Sequence, residues 1–147
     1  MAETCWRENV SLLAYSPLAF GFLTGKYLAD PKAKGRATLF DGFAQRYAKP
    51  GVAPAVAAYV ALARRHGLTP TQLALSWGTS RRCVASTIVG ATSLLQLKEN
   101  LAACVQPLNE EILQEIEDIH LRHIPHASAD VCASRPAIAT PGVRRCR

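Results

Sequence analysis

The stretch from residue 86 to residue 100, STIVGATSLLQLKEN, constrains the fold more than any other part of the chain. It continues an apolar and β-branched run, residues 84–89, that has the composition of a short buried strand. Gly90 ends the run, and Ser93 followed three residues later by Gln96 predicts a capping box at a helix start. Free backbone N–H groups and the positive end of the helix dipole then meet at one point. The stretch therefore predicts an anion site.

A second strand and a long loop precede this stretch. Residues 10–15, VSLLAY, form a run of strand length that is apolar on both faces, as in a parallel strand covered on each side. Proline at position 17 ends the run because it cannot donate to a sheet ladder. Residues 16–27, SPLAFGFLTGKY, contain two glycines and a proline and predict a loop whose backbone approaches a ligand closely. The polar stretch over residues 28–51 is longer than ordinary connections and is typical of a binding loop or lid.

Helices account for most of the remaining chain. Residues 54–66 carry an apolar stripe at helical spacing, and Thr69 with Gln72 predicts a second capping box with proline at the first helical position. Residues 94–104 form the helix behind the anion site. Asn109 caps a last helix whose buried face is marked by Ile112, Ile116 and Ile119. The order strand, loop, helices, strand, helix, helix is typical of a parallel α/β protein, although a (β/α)8 barrel needs eight strands and two are predicted here.

Charge and composition narrow the partners. The chain has 147 residues, about one domain, and a net charge of +6, of which the four arginines and one aspartate in residues 130–147 supply +3. The remainder is too weakly basic to indicate a nucleic-acid-binding protein. No apolar run approaches the length of a membrane span and no signal peptide is visible. Five scattered cysteines without a C-x-x-C pair then predict reduced thiols in a cytoplasmic protein.

Two motifs carry a family resemblance. SPLAFGFLTGKY, followed by Arg36 and then by GATSLLQLKEN, closely resembles the C-terminal part of the aldo-keto reductases, in the subgroup of Tas-type reductases and potassium-channel β subunits. The resemblance runs from about residue 5 to about residue 128, and it implies a domain over residues 1–128. It also implies an α/β fold, a partial TIM (β/α)8 barrel in which residues 10–15 and 84–89 are the seventh and eighth strands. NADPH lies across the C-terminal face of such barrels.

The resemblance also implies which residues contact NADP(H). Residues 16–19 line the path from the nicotinamide to the pyrophosphate, and two cations beyond them close over the phosphates. The start of the second helix contacts the adenosine 2′-phosphate and ribose, and two residues further along hold the adenine amino edge. In order, the implied contacts are Tyr15, Ser16, Pro17, Leu18, Ala19, Lys26, Arg36, Gly90, Thr92, Gln96, Glu99 and Asn100.

The catalytic Asp, Tyr, Lys and His of the family belong to the first half of its barrel, and no residue here is assigned those roles. The implied function is NADP(H)-dependent reduction of aldehydes or ketones, by a truncated chain that keeps the cofactor-phosphate part. Its implied partners are the dinucleotide and either a separate N-terminal barrel half or a second copy joined at exposed strand edges. A nucleotide-sensing regulatory module and an inactive remnant remain alternatives.

Several features also have simpler interpretations. The predicted anion site is compatible with a structural strand–turn–helix that holds no ligand. His120, His123 and His126, with Cys132 beyond, have the composition of a zinc site, but Pro125 interrupts the helix, so ordinary helix-end histidines are favoured and no metal is predicted. Both tryptophans are interpreted as core or domain-contact residues, and Cys104 as buried. Residues 129–147 predict a disordered basic tail.

Overall fold

The computed structural model describes residues 2–40, 42, 44–47 and 49–123. The predicted tail over residues 129–147, and with it Pro125, His126 and Cys132, lies outside the described residues. In chain order the elements are α1 (Ala2–Arg7), β1 (Leu12–Tyr15), a 3₁₀ segment (Ala19–Thr24), α2 (Lys26–Ala29), α3 (Arg36–Leu39), a second 3₁₀ segment (Gln45–Tyr47), α4 (Val52–Arg65), α5 (Pro70–Thr79), β2 (Val84–Ile88), α6 (Leu94–Cys104) and α7 (Glu110–His123).

The two strands form one small parallel sheet. Leu12 pairs with Val84 and Tyr15 with Ile88, and a register shift follows Leu12. The helices α4 and α5 lie between the strands in sequence, as a parallel connection requires. The predicted parallel α/β order is confirmed, and the carboxyl ends of β1 and β2 lie at the same edge of the sheet.

The buried core lies among the helices and not around the sheet. It joins α4 to α5 and α7 through Leu62, Ala63, Leu73, Ile112, Ile116 and Ile119. The three isoleucines predicted to mark the buried face of α7 are only 4–7% exposed, so that prediction is confirmed. Polar contacts join the same helices: His66 Nε2 lies 2.7 Å from a carboxylate oxygen of Glu115, and Arg65 forms an ion pair with that carboxylate. Packing between helices therefore stabilises this chain more than the sheet does.

Local capping fixes where the helices begin. Thr69 Oγ1 accepts a hydrogen bond of 3.1 Å from the Gln72 N–H, and Gln72 Oε1 accepts one of 2.8 Å from the Thr69 N–H. This reciprocal pair confirms the predicted capping box, with proline as the first residue of α5. Asn109 Oδ1 accepts the Ile112 N–H at 2.9 Å at the start of α7, also as predicted.

Three predictions about burial and regularity are wrong or only partly right. The side chains of Leu13 and Tyr15 are 62% and 66% exposed. The prediction that both faces of this strand are covered is therefore wrong for the described residues, which cover one face. Cys104 is half-buried and not fully buried. Residues 28–51, interpreted as one long loop, include α3 and the short 3₁₀ segment Gln45–Tyr47.

Of the two interpretations of the tryptophans, core or domain-contact residues, the first is wrong for both. Trp6 is 84% exposed because α1 buries none of its residues. Trp77 is 40% exposed, and the guanidinium carbon of Arg81 lies 4.9 Å from the centre of its ring. Stacking of this kind covers an aromatic face without placing it in the core.

None of the helices in the described part of the chain combines the length and apolar character that crossing a bilayer requires.

Candidate functional site

The sheet register places the two predicted cofactor segments at one edge. Tyr15 and Ile88 are the last pair of the β1–β2 ladder, so the chain leaves both strands side by side. We call Tyr15, Ser16, Pro17, Leu18, Ala19, Lys26 and Arg36 the first cluster. We call Gly90, Thr92, Gln96, Glu99 and Asn100 the second cluster. Each cluster follows one strand, and ligands of parallel α/β proteins bind at this edge.

The loop after β1 is held in a strained backbone conformation. Four described residues other than glycine have positive φ, and three of them lie in this loop: Ser16 at 54°, Ala19 at 48° and Phe20 at 56°. Each such residue costs on the order of 1 kcal/mol. Short backbone hydrogen bonds hold the turn, with the Ala19 N–H donating to the Ser16 carbonyl at 2.9 Å. Strain concentrated in one loop is typical of binding sites.

The two cations of the first cluster lie against aromatic rings of the same loop. Lys26 Nζ is 4.7 Å from the centre of the Tyr27 ring and donates to the Lys34 carbonyl at 3.4 Å. The Arg36 guanidinium carbon is 5.7 Å from the centre of the Phe20 ring. Tyr47 packs edge-on against Phe20, with ring centres 5.5 Å apart. The aromatic rings therefore hold both cations next to the strained turn.

Gly35 is a site residue that the sequence analysis missed. A Cβ atom at this position would lie 2.3 Å from both Lys26 Nζ and Tyr27 Oη, far closer than real contacts allow. Only glycine therefore lets the Lys26 ammonium group lie where it does. The available signal was a glycine directly before Arg36, which alone does not indicate a close approach.

The second cluster is organised by the start of α6. Ser93 Oγ accepts the Gln96 N–H at 3.2 Å, as predicted. Gln96 Oε1, however, accepts from the N–H and the hydroxyl of Thr92, at 2.9 and 3.0 Å. The reciprocal capping box predicted for Ser93 and Gln96 is therefore wrong in its second half. Thr92 offers two donors to one amide oxygen, whereas the Ser93 backbone offers one.

Two residues of the second cluster join α6 to its neighbours. Asn100 is buried, with 3% exposure, and its Nδ2 donates to the Gly90 carbonyl at 3.4 Å. Glu99 is half-buried and accepts a hydrogen bond of 2.9 Å from the Thr69 hydroxyl at the start of α5. The Asn100 contact joins α6 to the Gly90 turn, and the Glu99 contact joins α6 to the start of α5.

Each cluster is held together by contacts within its own part of the chain. Within the part of the chain that the structure describes, no hydrogen bond or ion pair joins the first cluster to the second. The parallel register alone brings them to one edge. The first cluster carries two cations, Lys26 and Arg36, and the second carries the N-terminus of α6 with the Thr92 hydroxyl, which are the kinds of group that bind phosphate.

A cavity of about 340 Å³ lies beside the first cluster, between α4, α5 and α7. Pro17 is the one predicted site residue in its wall, which is otherwise mainly apolar. Tyr59 also lines this cavity, and burial, with a smaller contribution from the negative charge of Glu117, raises the pKa of Tyr59 above 10.0. Among the described residues, no group of three or more His, Cys, Asp or Glu side chains is arranged to hold a metal ion.

Comparison with known proteins decides the family. A model of the aldo/keto reductase family matches residues 1–120. The chain belongs to the aldo/keto reductase family. Aldo/keto reductases are oxidoreductases that generally use nicotinamide cofactors, and the family implies a TIM barrel, with which the parallel β1–β2 pair is compatible. Membership of the family, inferred from the two motifs, is thereby confirmed.

The relatives of this aldo/keto reductase chain include enzymes and channel subunits. It is 50% identical over 121 residues to "Protein tas" of Escherichia coli K12, covering 82% of this chain and 35% of Tas. It is 35% identical over 112 residues to "Pyridoxal reductase, chloroplastic" of Arabidopsis thaliana, covering 75% of this chain and 29% of that protein. It is 34% identical over 117 residues to "Probable voltage-gated potassium channel subunit beta" of A. thaliana, covering 76% and 36%. The chain therefore spans about one third of the length of these relatives.

Proposed function

We propose that this chain supplies the phosphate-binding end of an NADP(H)-dependent aldo/keto reductase that reduces aldehydes or ketones. In this proposal residues 1–128 form the domain, and β1 and β2 are the seventh and eighth strands of the barrel. The proposal rests mainly on the parallel register of β1 and β2, because both predicted cofactor segments then begin at the same edge of the sheet. Phosphate sites of barrels lie after these two strands.

The two clusters divide the dinucleotide between them. Lys26 and Arg36 neutralise the pyrophosphate, while the strained backbone of residues 16–19, directly after Tyr15, lies along the path to the nicotinamide. The N-terminus of α6, with Thr92, takes the 2′-phosphate through charge-assisted N–H bonds. Gln96 retains its amide N–H2 group for the same phosphate or the ribose, because its oxygen is already bonded to Thr92. A 2′-phosphate at this point favours NADPH over NADH.

The remaining second-cluster residues recognise adenine. The Glu99 carboxylate accepts from the adenine amino group, and Asn100 holds the Gly90 turn beneath it. The bound cofactor supplies a hydride for the carbonyl carbon of the substrate. The proton for the carbonyl oxygen comes from an acid of a separate N-terminal barrel half, because no residue of this chain is assigned that role. The dinucleotide-binding chain acts in the cytoplasm with its cysteines reduced.

Titration of the purified chain with NADPH, followed by nucleotide fluorescence, tests this proposal. We expect NADPH to bind more tightly than NADH, and Arg36→Ala to weaken NADPH binding about tenfold through loss of one charge-assisted contact. Arg64→Ala is the matched control, because Arg64 is an exposed arginine on α4 and belongs to neither cluster. Equal affinity for the two dinucleotides, or equal effects of the two substitutions, contradicts the proposal.

A regulatory module is the second candidate, favoured by one relative's name as a potassium channel β subunit. In this case NADPH binds and changes the protease protection of residues 28–51, but the chain does not contribute to turnover of an aldehyde when the rest of a barrel is supplied. Absence of NADPH binding at millimolar concentration contradicts both candidates and supports an inactive remnant.

A further inference from the structure

Thr69 joins two helices through a single hydroxyl group. It is the N-cap of α5, where its Oγ1 accepts the Gln72 N–H at 3.1 Å. The same Oγ1 lies 2.9 Å from Oε1 of Glu99, thirty positions further along the chain on α6. Thr69 therefore connects the start of α5 to the second cluster, although no sequence motif includes both residues.

The chemistry of the groups fixes the direction of both hydrogen bonds. A backbone N–H only donates, so the Thr69 hydroxyl accepts from Gln72. An ionised carboxylate only accepts, so the same hydroxyl donates its one proton to Glu99. A hydroxyl has one donor and two acceptor sites, and the two roles are therefore compatible. The cap of α5 leaves the hydroxyl proton available, and Glu99 Oε1 lies within hydrogen-bond distance to accept it.

We propose that Thr69 is a positioning residue for adenine recognition, which orients the Glu99 carboxylate before the cofactor binds. This inference rests on the proposed function, because it assigns Glu99 to the adenine amino group. Thr69 does not contact the cofactor. It acts through Glu99.

The flexibility of the Glu99 side chain explains why its orientation matters. A glutamate side chain has three rotatable torsions, and fixing them during binding opposes association. The Thr69 hydrogen bond fixes Oε1 in the free protein, with α5 packed against α6. Among the described residues, Oε2 of Glu99 receives no hydrogen bond, and it is therefore the oxygen left for the adenine amino group. An acceptor that is already oriented discriminates better between a ligand amino group, which donates a hydrogen bond, and a ligand oxygen at the same position, which does not.

Four variants of the full chain separate this role from helix capping. Thr69→Ser keeps the cap and the donor. Thr69→Asp keeps an oxygen that caps α5 but has no proton for Glu99. Thr69→Ala loses both, and Glu99→Gln changes the proposed adenine acceptor itself.

The readout is the ratio of dissociation constants for NADPH and for its hypoxanthine analogue, in which an oxygen replaces the adenine amino group. Both dinucleotides carry the same phosphates, so the ratio removes the effect of the extra aspartate charge on phosphate binding.

We expect the wild-type chain and Thr69→Ser to prefer NADPH over the hypoxanthine analogue by about tenfold or more, as a hydrogen bond to a charged group gives. Thr69→Asp and Thr69→Ala lower this preference to about twofold or less, and Thr69→Asp adds nothing further in the Glu99→Gln background. Thermal denaturation is the control for unfolding of α5: we expect Thr69→Asp to melt at the wild-type temperature, because an aspartate oxygen keeps the cap.

Two results overturn the inference. An unchanged preference in Thr69→Asp shows that the hydroxyl does not position Glu99. Equal binding of the two dinucleotides by the wild-type chain shows that Glu99 does not recognise the amino group, while a preference for NADPH over NADH still supports the proposed function. Failure of the wild-type chain to bind NADPH contradicts the proposed function and the inference together.

Discussion

Replacing Gly35 by alanine tests whether the loop after β1 was shaped to present an ammonium group. The backbone at Gly35 is extended, so alanine adopts its conformation without strain. The added methyl group, however, falls 2.3 Å from Lys26 Nζ and from Tyr27 Oη. Both atoms must withdraw to at least 3.0 Å, the shortest separation that real Cβ contacts show. The substitution therefore moves the Lys26 charge without removing it.

The expected effect falls on binding more than on folding. Moving an ammonium group about 1 Å away from a phosphate, at an effective dielectric constant of about 20, costs about 1.4 kcal/mol, or about tenfold in the dissociation constant for NADPH. In the free chain the methyl group displaces only weak interactions: a 3.4 Å hydrogen bond from Lys26 to the Lys34 carbonyl and another of 3.4 Å from Tyr27 Oη to the Phe20 carbonyl. Stability should fall by less than about 1 kcal/mol.

Nucleotide-fluorescence titration and urea denaturation measure the two effects in one set of variants. Gly78→Ala is the matched control, because a Cβ at Gly78 meets no atom within 4 Å and the residue lies in the last turn of α5. It should leave NADPH binding unchanged and raise stability by about 0.5 kcal/mol. In a Lys26→Met background, Gly35→Ala should have no further effect on NADPH binding.

Either of two results would refute this reasoning. Tight NADPH binding by Gly35→Ala would show that the Lys26 ammonium group does not contact a phosphate. Equal weakening by Gly35→Ala in the wild-type and Lys26→Met backgrounds would show that the methyl group acts through the backbone or through Tyr27.

Two further predictions concern the free chain. Burial and the charge of Glu117 raise the pKa of Tyr59, so the folded chain keeps a proton that the unfolded chain loses above about pH 10. The free energy of unfolding should therefore fall as pH rises beyond that point, by at most about 1.4 kcal/mol per pH unit, and Tyr59→Phe should lessen the fall in urea denaturation. An equal alkaline loss in both proteins would contradict this. Leu62→Ala should cost about 2–5 kcal/mol by the same assay, because Leu62 is 0% exposed in the helical core, whereas Leu101→Ala, at a 58% exposed position, should cost less than about 0.5 kcal/mol. Similar losses for the two leucine variants would place the core elsewhere.

Local signals predicted the secondary structure well. The start of α6 is fixed by the Ser93 cap and that of α5 by the Thr69 capping box, and both signals lie within four residues of sequence. Exposure was harder to predict, since an apolar residue such as Trp6 or Leu13 is buried only if another part of a protein covers it. The Gln96 oxygen bonds to Thr92 and not to Ser93 because the side-chain geometry, which periodicity does not describe, offers two donors there.

The candidate site was predicted only where a motif described it. Resemblance supplied Lys26 and Arg36, and the structure holds both against the aromatic rings of one loop. It supplied neither Gly35 nor Thr69. The importance of each depends on a contact with one distant side chain, nine residues away for Gly35 and thirty for Thr69, and such contacts leave no periodic trace in a sequence.

The open face of the small sheet has a thermodynamic consequence. Tyr15 and Ile88, 66% and 57% exposed, form the last pair of the ladder, where the two predicted cofactor segments begin. A surface that shields this rung from water also contacts the chain where both segments begin. Under the proposed function, any change that such a cover makes in nucleotide affinity is matched by an equal change that the nucleotide makes in the affinity for the cover.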